Sequence, residues 1–155
     1  MVTFGTGDHQ YEVVEGFFKR PRGWPFVEAA DVAVDKDDNV YVLNRGPYAA
    51  VMIFDKDGLY LDGWGRIGGR PEVAYDFTVP HGISVGPDGS IYTSDTGDHT
   101  VRRWSKDGKL LLTMGTPMSS APRQSGKPFN RPTHLTVASN GDFYASDGYG
   151  NSHIH

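Results

Sequence analysis

The chain has 155 residues, of which 37% are apolar and 22% are charged, and its formal net charge is −4. This length and composition predict a single domain, and the acidic balance argues against nucleic acid as a partner, because phosphate binding requires a basic stripe that the sequence lacks. The absence of cysteine excludes a disulfide framework and cysteine nucleophiles, and it leaves the cellular compartment open.

Residues 1–27 are predicted to form an N-terminal outer strand and a lead-in. The stretch Tyr11–Phe17, YEVVEGF, alternates as an outermost strand would. The N-terminus has no basic start followed by an apolar run, so no signal peptide is predicted. No stretch of the chain is long enough and apolar enough to span a membrane.

Three copies of one pattern follow the lead-in. DVAVDKDDNVYVLNR begins at Asp31, GISVGPDGSIYTSDT at Gly82 and HLTVASNGDFYASDG at His134, so corresponding residues recur at steps of 51 and 52. Each copy holds an alternating apolar run, a turn rich in Asp, Asn and Gly, and a second alternating run. This pattern is typical of an antiparallel hairpin.

Two more strands are predicted in each of the first two copies. They lie in AVMIFDKDGLYLDGWG from Ala50 and in TVRRWSKDGKLLLTMG from Thr100, and the third copy begins a further strand at Ser152. Four short strands repeated at a period of roughly fifty residues indicate β-propeller blades. Loop insertions over 65–76 and 115–127 account for the length of the repeat.

We therefore predict an all-β propeller with about three four-stranded blades, half of a six-bladed ring. Blade 1 is assigned to residues 28–76, blade 2 to 77–128 and an incomplete blade 3 to 129–155. Three blades cannot close a ring, since propellers need about four or more. Two explanations stay open: the chain is a fragment of a longer propeller, or two copies associate as a homodimer in which each N-terminal strand completes the other's third blade.

Residues inside the repeats resemble those of NHL-repeat β-propellers. The segment GISVGPDGSIYTSDTGDHTVRRWSKDG is similar to an NHL repeat. VPHGISV, TSDTGDHTVRRW, FNRPTHLTV and SDGYGNSHI are similar to segments of the peptidyl-α-hydroxyglycine α-amidating lyases and their bacterial NHL-propeller relatives. The resemblance covers Asp31 to His155, and it implies an NHL-type propeller with a lyase-like channel.

The resemblance also implies site residues. A catalytic zinc bound by three histidines is implied, the first of which corresponds to His81 in Pro-His-Gly. A structural calcium bound by backbone carbonyls is implied at Val32 and Ile83. Arg45, in Asn-Arg-Gly, matches the arginine that binds the substrate carboxylate, and Tyr149, in Asp-Gly-Tyr, matches the tyrosine that acts on the substrate hydroxyl.

In the mechanism that the resemblance implies, zinc polarises the hydroxyl of an α-hydroxyglycine, the tyrosine takes its proton, and an amide and glyoxylate are released. The family's other two zinc histidines, a second arginine and the calcium carboxylate correspond to blades beyond residue 155. Gly150 stands where the lyases commonly have cysteine, and His134 is one register off the position of His81.

Two functions stay open from the sequence. One is a metal-dependent lyase that acts on a small carboxylate-bearing substrate in the channel. The other is a non-catalytic propeller that binds a peptide or protein partner, or an inactive half propeller. Each candidate also has a structural interpretation: His81 as a turn cap, Arg45 as the partner of a nearby carboxylate, and Tyr149 as an aromatic packed between blades.

Several recurring residues are predicted to be structural. Trp64 and Trp104 occupy blade positions where a large ring packs between sheets. Asp95 and Asp147 are predicted to accept backbone N–H groups of the turn that follows each of them. The basic run at Lys19, Arg20 and Arg22 is interpreted as a solvated surface.

Overall fold

The computed structural model of the chain describes residues 3–67 and 76–155, which form β-strands and no helix. The strands are β1 (Thr3–Thr6), β2 (His9–Glu12), β3 (Ala29–Val34), β4 (Val40–Asn44), β5 (Val51–Phe54), β6 (Tyr60–Trp64), β7 (Arg66–Ile67), β8 (Asp76–Phe77), β9 (Pro80–Val85), β10 (Ile91–Asp95), β11 (Thr100–Trp104), β12 (Leu110–Met114), β13 (His134–Val137), β14 (Phe143–Asp147) and β15 (His153–Ile154). The prediction of an all-β chain is confirmed.

Three antiparallel sheets correspond to the three sequence repeats. Sheet 1 has the order β3-β4-β5-β6, sheet 2 the order β9-β10-β11-β12, and sheet 3 the order β13-β14-β15. Each strand pairs with the next one along the chain, as a propeller blade requires. The third strand of sheet 3 begins at His153, one residue after the predicted start. The predicted loop insertion over 65–76 falls mostly on residues 68–75, which lie outside the described part of the chain.

The N-terminal segment differs from its prediction. Instead of a single strand over Tyr11–Phe17, β2 ends at Glu12 and pairs with β1 in a separate two-stranded sheet. Gly7 adopts a φ of 60° in the turn between these strands, a conformation that glycine reaches without steric cost. Pairing across a tight turn closes a short loop, which costs less chain entropy than joining a distant sheet. The observed strand therefore has other bounds than the predicted one, and the role of this segment as the outer strand of a blade stays a prediction.

The interface between sheets 1 and 2 holds the largest core. Trp64 and Trp104 pack with ring centroids 5.0 Å apart, and Phe77 lies against both rings. Ile83 and Leu43 are buried in the same cluster. The prediction that both tryptophans pack between sheets is confirmed.

Two further cores follow from the alternation of side chains along the strands. Leu135 and Ala145 of sheet 3 pack with Tyr92 and Val101 of sheet 2. On the face of sheet 1 that points away from sheet 2, the lead-in covers the second and third strands with an aromatic cluster. That cluster consists of Phe18, Trp24, Phe26, Phe54 and Tyr60.

The first strands of the three sheets lie side by side, with β9 between β3 and β13. The start of each first strand and the end of the second strand of the same sheet therefore lie at a common end of the structure, called here the site end. None of the described residues forms a helix that is long and apolar enough to cross a membrane.

Candidate functional site

Three residues predicted from the resemblance lie at the site end. Arg45 directly follows β4, His81 is the second residue of β9, and Tyr149 lies two residues beyond β14. They come from three different sheets, which the chain brings together because the repeats pack side by side. A binding site built from loops at one end of a rigid sheet scaffold is common in proteins.

His81 and Tyr149 contact each other directly. The Tyr149 hydroxyl lies 3.2 Å from His81 Nε2, and the two rings meet edge to face with centroids 5.6 Å apart. His81 Nδ1 lies 2.9 Å from the carbonyl oxygen of Thr133. A carbonyl only accepts hydrogen bonds, so in the neutral ring Nδ1 carries the proton and Nε2 accepts the Tyr149 hydroxyl proton. The pair is thus oriented for proton transfer between phenol and imidazole.

Arg45 approaches the same site from sheet 1. Its Nε donates to the carbonyl of Pro80 over 2.8 Å, and one terminal nitrogen lies 3.0 Å from Glu28 Oε2. Arg45 therefore holds the residue that precedes His81, and its charge already faces a carboxylate. The structural interpretation of Arg45 matches these contacts, while its predicted contact with a substrate carboxylate stays a prediction.

Val32 and Ile83 occupy repeat-equivalent positions on the inner strands β3 and β9. The N–H groups of both donate to the carboxylate of Asp31 over 2.9 Å, rather than to the neighbouring strand of their own sheet. In an antiparallel ladder the N–H and C=O of one residue point to the same edge. The carbonyls of Val32 and Ile83 accordingly lie on the inner edges of their sheets, near one carboxylate.

Asp31 also links the outer two of the three sheets, and this was not foreseen from the sequence. Its Oδ2 lies 3.2 Å from His134 Nε2, although Gly82 of sheet 2 stands between them in the repeat alignment. A Cβ at Gly82 would sit 2.8 Å from the Cα of His134. The repeat alignment contains a signal for this contact. Asp31, Gly82 and His134 align in the repeats, and glycine at the middle position leaves room for the other two to meet.

The loop that carries Tyr149 is tied to the loop before β13. Gly150 donates its N–H to the carbonyl of Asn130 over 3.1 Å, and Asn130 donates its own N–H to both oxygens of Asp147 over 2.9 Å. The guanidinium carbon of Arg131 lies 5.5 Å from the centroid of the Tyr149 ring. Arg131 is a further cation of the site that no sequence pattern indicated.

The side chains at the site end determine whether a metal ion can bind there. His81 has the arrangement of a metal-binding histidine, with one ring nitrogen fixed on a carbonyl and the other facing the site. Catalytic zinc normally has three protein ligands. Within residues 3–67 and 76–155, no group of three or more His, Asp or Glu side chains is placed to hold a metal ion. The described residues therefore offer one zinc ligand and do not make a zinc site by themselves.

Comparison with known proteins agrees with this architecture. The family model for the NHL repeat matches residues 77–104. The chain is 36% identical over 91 residues to peptidyl-alpha-hydroxyglycine alpha-amidating lyase 1 of Drosophila melanogaster, a match that covers 54% of this chain and 16% of that protein. It is 30% identical over 155 residues to NHL repeat-containing protein 3 of Mus musculus, which covers 90% of this chain and 42% of that protein.

Solved structures show the same fold. The WD40 β-propeller domain of Doa1 superposes with a TM-score of 0.51 at 21% identity, over 77% of this chain and 33% of that one. The chain thus has the architecture of a β-propeller and contains an NHL repeat. It spans less than half the length of the two curated relatives named above.

Proposed function

We propose that this NHL-repeat propeller chain carries part of an active site that cleaves the carbon–nitrogen bond of N-acyl-α-hydroxyglycines. The observation that supports this most is the contact between the Tyr149 hydroxyl and His81 Nε2, at 3.2 Å, at the end of three adjacent sheets. The likeness to an amidating lyase supports the choice of substrate class. A tyrosine and a histidine in hydrogen-bond contact can pass a proton between them, which is what general acid–base catalysis requires.

The proposed reaction begins at the substrate hydroxyl. Tyr149 takes the hydroxyl proton as it passes its own proton to His81 Nε2. The carbon–oxygen bond becomes a carbonyl, and the carbon–nitrogen bond breaks with its electron pair going to the amide nitrogen. The proton returns from the pair to that nitrogen, so the products are an amide and glyoxylate. Thr133 keeps His81 in the tautomer that this relay requires.

Metal binding is proposed only for a site that further ligands complete. Zinc through His81, and calcium through the carbonyls of Val32 and Ile83, stay proposals, because both require ligands beyond those that the described residues provide. His81 Nε2 also has one lone pair, which either accepts the Tyr149 hydroxyl or binds a metal. No step above is therefore assigned to a metal.

Glyoxylate release from N-benzoyl-α-hydroxyglycine tests the proposal. Rates are measured above the spontaneous decay of the substrate, with and without added zinc. We expect Tyr149→Phe and His81→Ala each to lower kcat by about 100-fold or more, as loss of general acid–base catalysis does. Tyr144→Phe is the matched control, since Tyr144 is an exposed tyrosine on β14 outside the pair. Equal rates in all four proteins would refute the lyase proposal.

A second candidate function rests on the lead-in. A concave surface of about 690 Å³ is lined by Phe18, Lys19, Arg20 and Trp24, and the Trp24 ring stacks on Tyr48 with centroids 5.0 Å apart. The cations at this surface have no carboxylate partner in the part of the chain that the structure describes. Aromatic rings beside cations that face no carboxylate suit an acidic peptide, which the charges would steer and the rings would contact.

Fluorescence anisotropy with a labelled proline- and glutamate-rich peptide distinguishes this role from catalysis. We expect binding that weakens at least fivefold in Lys19→Glu and that falls with added salt. Lys36→Glu is the control, because Lys36 is an exposed lysine in the β3–β4 turn. Unchanged binding in Lys19→Glu would reject this surface as the peptide site.

A further inference from the structure

We infer that Arg131 binds the carboxylate of the substrate, so that an acid group next to the reacting hydroxyl is a condition for binding; this rests on the lyase function proposed above. The guanidinium lies over the ring of Tyr149 and is exposed to solvent. Its side chain makes no hydrogen bond or ion pair with any residue in 3–67 or 76–155. Arg131 is therefore a cation at the site whose hydrogen-bond donors are available to a ligand.

Arg45, the arginine expected from the resemblance, is less available. Its Nε is used by the carbonyl of Pro80, a terminal nitrogen is used by Glu28, and only 26% of its side chain is exposed. A substrate carboxylate that bound Arg45 would compete with the carboxylate of Glu28 for the same cation. No comparable competitor faces Arg131 within the described residues.

The backbone holds Arg131 beside Tyr149. Arg131 has a φ of 65°, a left-handed conformation that costs a non-glycine residue on the order of 1 kcal/mol. Its N–H donates to His99 Nδ1 over 3.2 Å. The preceding residue, Asn130, is bound to Asp147 and to Gly150, so the Arg131 loop and the Tyr149 loop form one unit. Such local strain next to a candidate site is consistent with a functional position for the side chain.

The chemistry of the ligand follows from this placement. A guanidinium presents a planar fork of N–H donors that matches a carboxylate. In an α-hydroxy acid the hydroxyl and the carboxylate are attached to the same carbon. A carboxylate held by Arg131 therefore brings the hydroxyl toward the oxygen of Tyr149, where His81 can receive the relayed proton. A neutral amide in place of the carboxylate loses this anchor.

Binding of unreactive probes tests the inference separately from turnover. N-benzoylglycine carries the carboxylate and lacks the hydroxyl, and N-benzoylglycinamide replaces the acid with a neutral amide. Dissociation constants for both are measured by ligand-observed NMR with the wild-type protein and its variants. We expect the wild type to prefer the acid by roughly tenfold to a hundredfold, the range expected for a charge-assisted hydrogen bond.

The variants identify the arginine that is responsible. Arg131→Gln is expected to remove the preference for the acid, and Arg131→Lys to keep part of it. Arg123→Gln, an exposed arginine in the loop before β13, is the matched control and is expected to keep the full preference. Far-UV circular dichroism and the thermal midpoint verify that each variant is folded.

Three outcomes separate the inference from the function on which it rests. Loss of preference in Arg131→Gln together with absent glyoxylate release supports the carboxylate site and refutes lyase activity. Loss of preference in Arg45→Gln but not in Arg131→Gln overturns the inference and favours Arg45. A wild-type protein that binds both probes equally, or binds neither, also overturns the inference.

Discussion

Gly150 shows how one residue sets the geometry of the candidate site. A Cβ built at this position would lie 2.0 Å from Asn130 Oδ1 and 2.7 Å from the Asn130 carbonyl oxygen. The residue after Tyr149 must therefore be glycine for the two loops to meet as they do. The cysteine that the resemblance leads one to expect here would not fit against Asn130 without a shift of the Tyr149 loop.

Gly150→Ala is expected to move Tyr149 away from His81. The added methyl group has no room beside Asn130, so the loop must shift, and we expect a loss of roughly 1–3 kcal/mol in the free energy of unfolding. Denaturant unfolding measures this loss, and the histidine ring signals in NMR report the changed contact with Tyr149. Gly148→Ala is the matched control on the other side of Tyr149, because a Cβ there meets nothing within 4 Å. Equal effects of the two substitutions would contradict this account of Gly150.

At the level of the strands, the same hydrogen-bond arrangement recurs in all three sheets. The last residue of each second strand accepts a backbone N–H from the segment that leads into the first strand of the same sheet. The acceptors are Asn44, Asp95 and Asp147, and the donors include Val27, Val79 and Asn130 respectively. All three acceptor side chains are buried. Burial explains why these positions hold short polar residues, since each must find its hydrogen-bond partners inside the protein.

The sequence allowed part of this hydrogen-bond arrangement to be predicted. The structural role of Asp95 is confirmed, because its Oδ1 accepts the N–H groups of Gly97 and Asp98 in the following turn. The bonds to the segment before the first strand were not predicted, since they join residues that the local pattern does not relate. Repeat alignment finds equivalent positions, but it does not show which of them lie together after folding.

The turn between β3 and β4 leads to a prediction of how the stability of the fold depends on pH. Burial alone would raise the pKa of Asp35, but hydrogen bonds from Asn39, the N–H of Asp37 and Lys106 lower it from 3.8 to about 2. A carboxyl group whose pKa is lower in the folded state than in the unfolded state stabilises the protein at pH values above the unfolded pKa, which is 3.8 for Asp35. This contribution is lost as the pH falls through the folded value, and it amounts to roughly 2 kcal/mol for a shift of this size.

Unfolding by urea at pH 6 and at pH 2 measures the effect of Asp35. We expect the wild type to lose roughly 2 kcal/mol more than Asp35→Asn over this interval, because the variant has no carboxylate to protonate. Asp57→Asn is the control in the corresponding turn between β5 and β6, where the carboxylate is exposed. Its pH dependence should match that of the wild type within about 0.5 kcal/mol. A wild-type loss equal to that of Asp35→Asn would show that the contacts of Asp35 do not stabilise the fold.

At the scale of the whole molecule, the arrangement of three sheets was predictable and the covering of sheet 1 was not. The apolar runs in each repeat specify strands that carry apolar side chains on both faces of a sheet, and each such face requires a neighbour that covers it. The lead-in Phe-Lys-Arg-Pro-Arg-Gly-Trp has no strand or helix periodicity, so nothing in its pattern showed that Phe18 and Trp24 would cover β4 and β5. On that face, Val32 and Val34 of the inner strand are left 56% and 55% exposed.

These two valines bear on the proposal that two copies form one ring. Exposed apolar side chains on an inner strand are the surface that a neighbouring blade covers in a closed propeller, and three sheets do not close a ring alone. We expect native mass spectrometry to show a dimer of the chain, and Val34→Lys to convert it to a monomer because the interface would then bury an unpaired charge. Leu61→Lys, at a similarly exposed leucine on the outer strand β6, should leave the dimer intact. A wild-type monomer over the whole concentration range would exclude the homodimer, and a metal bound only to the dimer would support a site completed by the second copy.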